Sequence, residues 1–481
     1  MTLLSNRRVS VVCGYLLACL LLAAYPGIGR AQVQPAPSMA SPMEIDFSSD
    51  PILSLSRRPR DPARFMALVE AAVLRAPSLA EAEAGRADAK ASLRQVRAGY
   101  LPTIDLSFSR ERSLSSRISN DPLNIIERLR GRGRTDAIAS ANQTLVDFGA
   151  TRARVRAAGA RLTAADAEIA RVNDDVILQA ISIWLDVDNF RMLEALATQL
   201  AERQAGLAKA IDLRVGQGAS APAEQVRVQA YLASTALTIA RYSRDRQAAE
   251  ARFEDVFGQP APGDLTAVPR APFEVLSRLD LEGAIEALPM IRAARADADA
   301  AGQDARALRA DNLPSITATL DAGRYGVYET PGDYDIRARV TVRKRLFGTG
   351  LGRADQGLAR AIQAQAKLSA LRNEAVRNAQ IAQSDVLALN NVLSAAALSY
   401  QAARQLRDVQ RVRFSLVKGA VFDLISAEEA YSQAAEAYVS ALNESEAAGY
   451  VLLARRGDLA KAIDLQTSRQ IQSHTQTRGQ P

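Results

Sequence analysis

Two spacings of hydrophobic positions alternate along the chain, and each occurs twice. From Ala150 to Leu213 there is no proline, and apolar residues recur at three- and four-residue steps through Ile177, Ile181, Trp184, Leu193, Leu196, Leu200, Leu207 and Ile211. That spacing keeps one face of a helix apolar. At a rise of 1.5 Å per residue such a helix would extend about 96 Å, far beyond an ordinary domain helix. Gly350 to Leu416 repeats the pattern. Turns are expected at Gly216-Gln217-Gly218 with Pro222, and at Lys418-Gly419, with return helices to about Phe257 and Ala454. Sustained apolar seams rich in alanine predict close-packed coiled coil. After Pro102 the period falls to two: Ile104, Leu106 and Phe108 alternate with Thr103, Asp105, Ser107 and Ser109, and a return strand is expected at about Thr135 to Val146. Farther on, Ile316, Ala318 and Leu320 alternate likewise, as do Ile336, Ala338, Val340 and Val342 against Arg337, Arg339, Thr341 and Arg343. Alternation of this kind predicts half-covered strands. At about 10 residues each, they have the length of tilted membrane-spanning strands.

The two halves are copies of one unit. Arg75-Ala76-Pro77-Ser78-Leu79 returns as Ala287-Leu288-Pro289-Met290-Ile291, and Tyr100-Leu101-Pro102-Thr103-Ile104 as Asn312-Leu313-Pro314-Ser315-Ile316, each 212 residues later. Leu145-Val146-Asp147-Phe148-Gly149 returns as Leu346-Phe347-Gly348-Thr349-Gly350 after 201 residues, and Arg214, Gly218 and Glu224 as Arg413, Val417 and Asp423 after 199. Matched landmarks in one order make an internal duplication. The first copy carries about eleven extra residues between its Leu-Pro and Gly sites, in a loop with seven arginines from Arg110 to Arg134. We read that loop as the solvated outer loop of the first hairpin; the phosphates of lipopolysaccharide are a second possible role. The expected organisation is a signal at 1–31, an extended Pro-rich leader at 32–62, a first repeat at 63–258 with its hairpin at about 102–148, and a linker at 259–279. A second repeat follows at 280–458 with its hairpin at about 314–347, and then a disordered polar tail at 459–481.

Four strands cannot close a barrel by themselves. An open sheet edge in hydrocarbon leaves backbone groups unpaired, so a spanning role requires several chains to share one barrel. The alternative at this level is a pair of soluble hairpins capping a coiled-coil rod; Arg337, Arg339 and Arg343 fit a wet lumen and a solvated sheet face equally.

Composition narrows the chemistry. The formal charge is +7, but Arg7, Arg8 and Arg30 lie in an acid-free N-terminal stretch; without it, 57 basic residues stand against 53 acidic ones. So small and scattered an excess gives no reason to expect a nucleic-acid partner. Arg7-Arg8, the apolar run Val9 to Ala24 and Gly29-Arg30-Ala31 read as an export signal cut before Gln32. Cys13 and Cys19, the only cysteines, fall inside it, so no disulfide or thiolate metal site is expected downstream. The one histidine, His474, sits in the polar tail, and neither a nucleophile nor a phosphate-binding motif is present. The expectation is no enzyme and no cofactor. Trp184 is expected to pack in the helical seam.

This order of motifs, found twice, resembles the TolC-like outer-membrane efflux and secretion proteins over about residues 63–458. The resemblance implies a mainly α-helical fold with a transmembrane β part, an internally duplicated coiled-coil barrel plus a 12-stranded β-barrel shared in a homotrimer. It implies an outer-membrane location in outer-membrane lipid, with a large periplasmic part. It further implies a passive duct for type I protein secretion, or alternatively for small toxic molecules, served by a periplasmic adaptor and an inner-membrane ABC or RND-type pump. A soluble periplasmic scaffold is the alternative of another class. Arg413 to Ile425 matches the family's second helical turn. Asp423 falls where some members line the periplasmic constriction; their second acid is Ser426 here, and the family glycine after the arginine is Val417, with Gly419 displaced. The adaptor-contacting tips would be Val215 to Ala221 (Gly216, Gly218, Ala219, Ser220) and Val417 to Val421 (Val417, Lys418, Gly419, Ala420). For Asp423 the plain alternative is a helix-start carboxylate, and for the tips a simple turn.

Overall fold

A computed structural model describes residues 47–48, 50–115, 133–330, 332–416 and 420–463. The expected signal, most of the leader, the centre of the basic loop, Val417, Lys418 and Gly419, and the tail from 464 lie outside the described residues.

Proline divides the first helical segment of each repeat in two, at Pro77 and at Pro289. In the first repeat, α1 (Pro62–Arg75) and α2 (Pro77–Arg97) are separated by Ala76, held extended by the proline after it. Strands β1 (Thr103–Arg112) and β2 (Gly133–Val146) follow, then α3 (Ala150–Gly216, 67 residues) and α4 (Pro222–Phe257, 36 residues). The second repeat runs α5 (Arg278–Ile285), α6 (Pro289–Ala310), β3 (Ser315–Arg324), β4 (Tyr334–Arg343), α7 (Gly350–Ser415, 66 residues) and α8 (Val421–Arg456, 36 residues). Between β1 and β2 lie 20 residues, and between β3 and β4 only 9, which accounts for the eleven-residue excess.

The copies agree in backbone detail. Ala221 and Ala420, the residues before α4 and α8, share φ −76° and ψ 144°. Gly258 and Gly457 end those helices at φ +70° and +79°, the left-handed closure that glycine supplies without strain. The start of α3 shows why Asp147 belongs to its motif. The carboxylate accepts the Gly149 N–H at 3.0 Å and the Thr151 N–H at 2.6 Å, capping the helix. Burial opposes ionisation there, but these bonds hold the carboxyl below its ordinary range. Gly348 replaces it in the second copy.

The longest helices carry the packing. α3 lies against α2, α4, α6 and α8, and α7 against α6 and α8. The main core forms where α1, α3, α4, α8 and the 259–279 linker converge on Trp184, which is 1% exposed. Its ring meets Phe65 edge-on at 5.2 Å and lies 5.9 Å from Phe253, and Nε1 donates to the Thr266 carbonyl at 3.0 Å. A second core gathers Leu281, Ile285, Leu288, Ile291, Leu368 and Ala379 at the equivalent place in the other repeat.

Two expected boundaries shift. The C-terminal part of the leader is fixed along the helices: Arg58 donates to Asp188 at 2.7 Å, Arg60 pairs with Glu446 at 2.5 Å, and Arg60 bridges to Ala267 in parallel. The chain expected to be disordered from 459 is helical through α9 (Leu459–Ala462), because Leu459 and Ile463 are buried in the main core.

Candidate channel: amphipathic sheet and helix tips

The four strands form one antiparallel meander in the order β1-β2-β3-β4. Register sorts its side chains. Ile104, Leu106 and Phe108 share a face with Ala137, Ala139 and Ala141, then with Ile316, Ala318 and Leu320, then with Ile336, Val340 and Val342. The opposite face carries Asp105, Ser107, Ser140, Asp321, Arg337, Arg339 and Arg343. Ser140 donates to Asp321 at 2.7 Å across the β2–β3 seam, and Arg337 pairs with Asp335. Among the described residues no element covers the apolar face: Leu106 is 82% exposed, Phe108 64% and Val342 67%. A contiguous apolar face of this extent marks a contact with lipid or protein. No helix among the described residues is long and apolar enough to cross a membrane. The ladder slips between Thr144 and Val146, a bulge just before the turn into α3.

At the far end of the helices, α3 turns into α4. Gly218 takes φ +72° with its N–H on the Val215 carbonyl, and Ala219 N–H closes on Arg214 at 2.8 Å. A Cβ would have open space at both Gly216 and Gly218, so only the backbone angle at Gly218 demands glycine. Gly216, Gly218, Ala219 and Ala420 are exposed, and Ser220 is half-buried. Asp423 is exposed in the first turn of α8, where no side chain caps the helix; Ser426, half-buried, lies one turn on. The two tips are brought together. Ile211, Val228, Tyr231, Phe414, Val421 and Leu424 share one apolar cluster. Arg214 donates to the Phe414 carbonyl at 2.9 Å while its guanidinium covers that ring at 4.1 Å, and Arg227 lies over Phe422 at 5.3 Å. The repeat landmark Arg413 is exposed instead.

Sequence reasoning missed a buried polar cluster between the leader and α7. Asp50, 1% exposed, accepts the Tyr400 hydroxyl at 3.0 Å and the Ile52 and Leu53 N–H groups at 2.7 and 2.9 Å, and pairs with Arg404. Burial, then the Tyr431 hydroxyl beside it, pushes the Tyr400 phenol far above its usual range. Arg407 stacks on Tyr431 at 3.9 Å and pairs with Asp408 at 2.6 Å. An aspartate in a Pro- and Ser-rich leader has no periodicity, so nothing in the pattern announced these contacts.

Comparison with known proteins places this geometry. Residues 68–259 match the family model described as outer membrane efflux protein. Among solved structures the chain is similar to the outer-membrane channel OprN, at 19% identity and TM-score 0.74, over 84% of this chain and 92% of that one. It is similar to the outer membrane protein VceC of Vibrio cholerae at 19% identity and TM-score 0.72, over 82% and 96%. The CmeC outer membrane channel of Campylobacter jejuni aligns at 15% identity and TM-score 0.74, over 85% and 87%. No curated protein matches the chain by sequence. The fold is that of these outer-membrane channels, and the first repeat matches the outer membrane efflux protein family.

Proposed function

We propose that three copies close into one passive duct, twelve strands forming a barrel across the outer membrane and the helices a periplasmic tunnel. The observation that carries this reading is a sheet with a bare apolar face, a polar opposite face and two open edges. In hydrocarbon such edges must pair, and further copies of the chain supply edges of the same kind. The helices support it. α6 of the second repeat packs on α3 of the first, but α7 makes no comparable contact with α2, and Leu351, Ile362 and Leu398 on α7 stand exposed. Each repeat thus engages the next, and the last awaits another copy.

Transport in this reading draws energy from an inner-membrane ABC or RND-type pump reached through a periplasmic adaptor. The adaptor docks at the small-residue tips, Gly216, Gly218, Ala219 and Ser220 with Val417, Lys418, Gly419 and Ala420. Three Asp423 side chains, with Ser426 behind them, form the periplasmic constriction; the exposure of Asp423 supports this. Two cargo classes fit the duct, a polypeptide handed over by a type I secretion system and small toxic molecules. The test is fractionation of cells expressing the full chain. Heat-modifiable, SDS-resistant trimers are expected in the outer membrane; a soluble periplasmic monomer would eliminate the duct in favour of a scaffold.

A further inference from the structure

We infer that the open edges β1 and β4 join neighbouring copies in one defined register, with Asp105 opposite Arg343 and Glu111 opposite Arg337 of the next copy. The inference rests on the shared barrel proposed above and adds the pairing that closes it.

Three observations fix the register. The first is the parity of the faces. Odd-numbered residues of β1 and of β4 lie on the polar face, so a continuous sheet must pair odd with odd, and allowed registers differ by steps of two residues.

The second is charge. The polar face of β1 carries two acids, Asp105 and Glu111, and that of β4 carries three arginines and Asp335. Pairing Asp105 with Arg343 brings Glu111 opposite Arg337, Ser107 opposite Thr341 and Ser109 opposite Arg339. On the other face Phe108 meets Val340, and Leu106 meets Val342. One step in one direction sets Glu111 against Asp335, two like charges directly opposed, which destabilises the pair. One step in the other direction moves Asp105 beyond the end of β4, to Arg345. Within their own chain, Asp105 and Arg343 stand opposite Ser140 and Ser315 and have no ionic or hydrogen-bonding partner among the described residues. Glu111 stands opposite Arg134, and Arg337 pairs with Asp335, so the second contact extends an existing charge row.

The third is barrel geometry. A row drawn straight across the sheet from Thr103 passes through Asn142 and Thr319 to Arg339. In the inferred register Arg339 meets Ser109 of the next copy, so the row climbs about six residues per copy and about eighteen around twelve strands. With ~3.3 Å per residue and ~4.8 Å between strands, that slant tilts the strands by about 46°, close to the upper end of the range for closed barrels. The register through Arg345 needs about 54°, outside it.

Cysteine pairs test the register directly, because the chain has no cysteine after Cys19. The Tyr325 N–H bonds the Asp333 carbonyl, so odd β4 residues direct their backbone toward β3. They therefore face the next copy as non-hydrogen-bonded pairs, whose Cβ atoms approach most closely. In full-length protein oxidised in outer membranes, Ser107→Cys with Thr341→Cys should move most of the chain into disulfide-linked dimers and trimers on non-reducing gels. Ser107→Cys with Arg339→Cys or with Arg343→Cys should give several-fold less. Trimers that link best through either shifted pair, or through none, would overturn the register and leave the shared barrel standing; a monomer that links through no pair would overturn both. Independently, Asp105→Arg and Arg343→Asp should each lower the temperature at which SDS-resistant trimers dissociate, and the double variant should recover it. A double variant as labile as the two losses combined would count against the pairing.

Discussion

At the residue scale, a carboxylate largely buried in a long helix without a cationic partner works against the fold, and Asp174 shows it. Burial, then the charge of Asp175 next to it, pushes this carboxyl of α3 up to about 6. A raised carboxyl pKa means that ionisation works against the fold. The penalty is absent below the unfolded value, grows as pH rises through the interval between about 4 and 6, and is full above it. Asp174→Asn should therefore raise stability by ~2 kcal/mol at about pH 7.5 and change little at about pH 4. Guanidinium unfolding midpoints at the two pH values check this; an equal gain at both would mean that the effect is not one of charge. Asp147 illustrates what was legible at this scale and what was not. Its place in a repeated motif marked it, but its role as a helix cap became visible only when Gly149 and Thr151 were seen to donate to it. Asp50 offered no mark at all, since its partners Tyr400 and Arg404 lie about 350 residues away in sequence.

At the element scale, legibility followed length and period. The long helices were expected from Ala150 and Gly350 and begin there, since sixty residues of three- and four-step periodicity leave no other solution. The strands showed themselves by alternation, and the eleven-residue excess fell in the first hairpin loop, where the landmark spacing changed. The leader and the start of the tail carry no pattern that shows their order, because short segments such as Leu53–Arg57 and Leu459–Ala462 draw it from the helices they pack against. The tips differ in chemistry between the copies: Arg214 is tied into the seam, whereas Arg413 is exposed. If Asp423 lines the constriction, Asp423→Ala should raise single-channel conductance and weaken block by multivalent cations. Unchanged conductance and unchanged block would reduce Asp423 to a helix-start carboxylate.

At the scale of the whole molecule, duplication explains why one chain is an unfinished object. Two repeats interlock through α3 and α6 and leave the equivalent surface of α7 open, and the sheet ends in two free edges. In the proposed duct the cargo is a property of this scale as well, because no single residue encodes it. Deleting the gene and comparing secreted proteins with sensitivity to toxic compounds separates the two classes. Loss of a secreted polypeptide with unchanged sensitivity assigns protein export, and heightened sensitivity with an unchanged set of secreted proteins assigns small-molecule efflux.

The open face of α7 has a consequence for how the protein comes into being. A newly made copy carries Leu351, Ile362 and Leu398 into water together with the bare face of the sheet. In the proposed trimer its native state is then not reached by folding alone, since the last apolar surface disappears only when a third copy arrives. Stability becomes a function of how many copies are present, and assembly competes with aggregation for the same sticky intermediate. Slow synthesis leaves each copy waiting longer for partners, and crowded synthesis offers it the wrong ones.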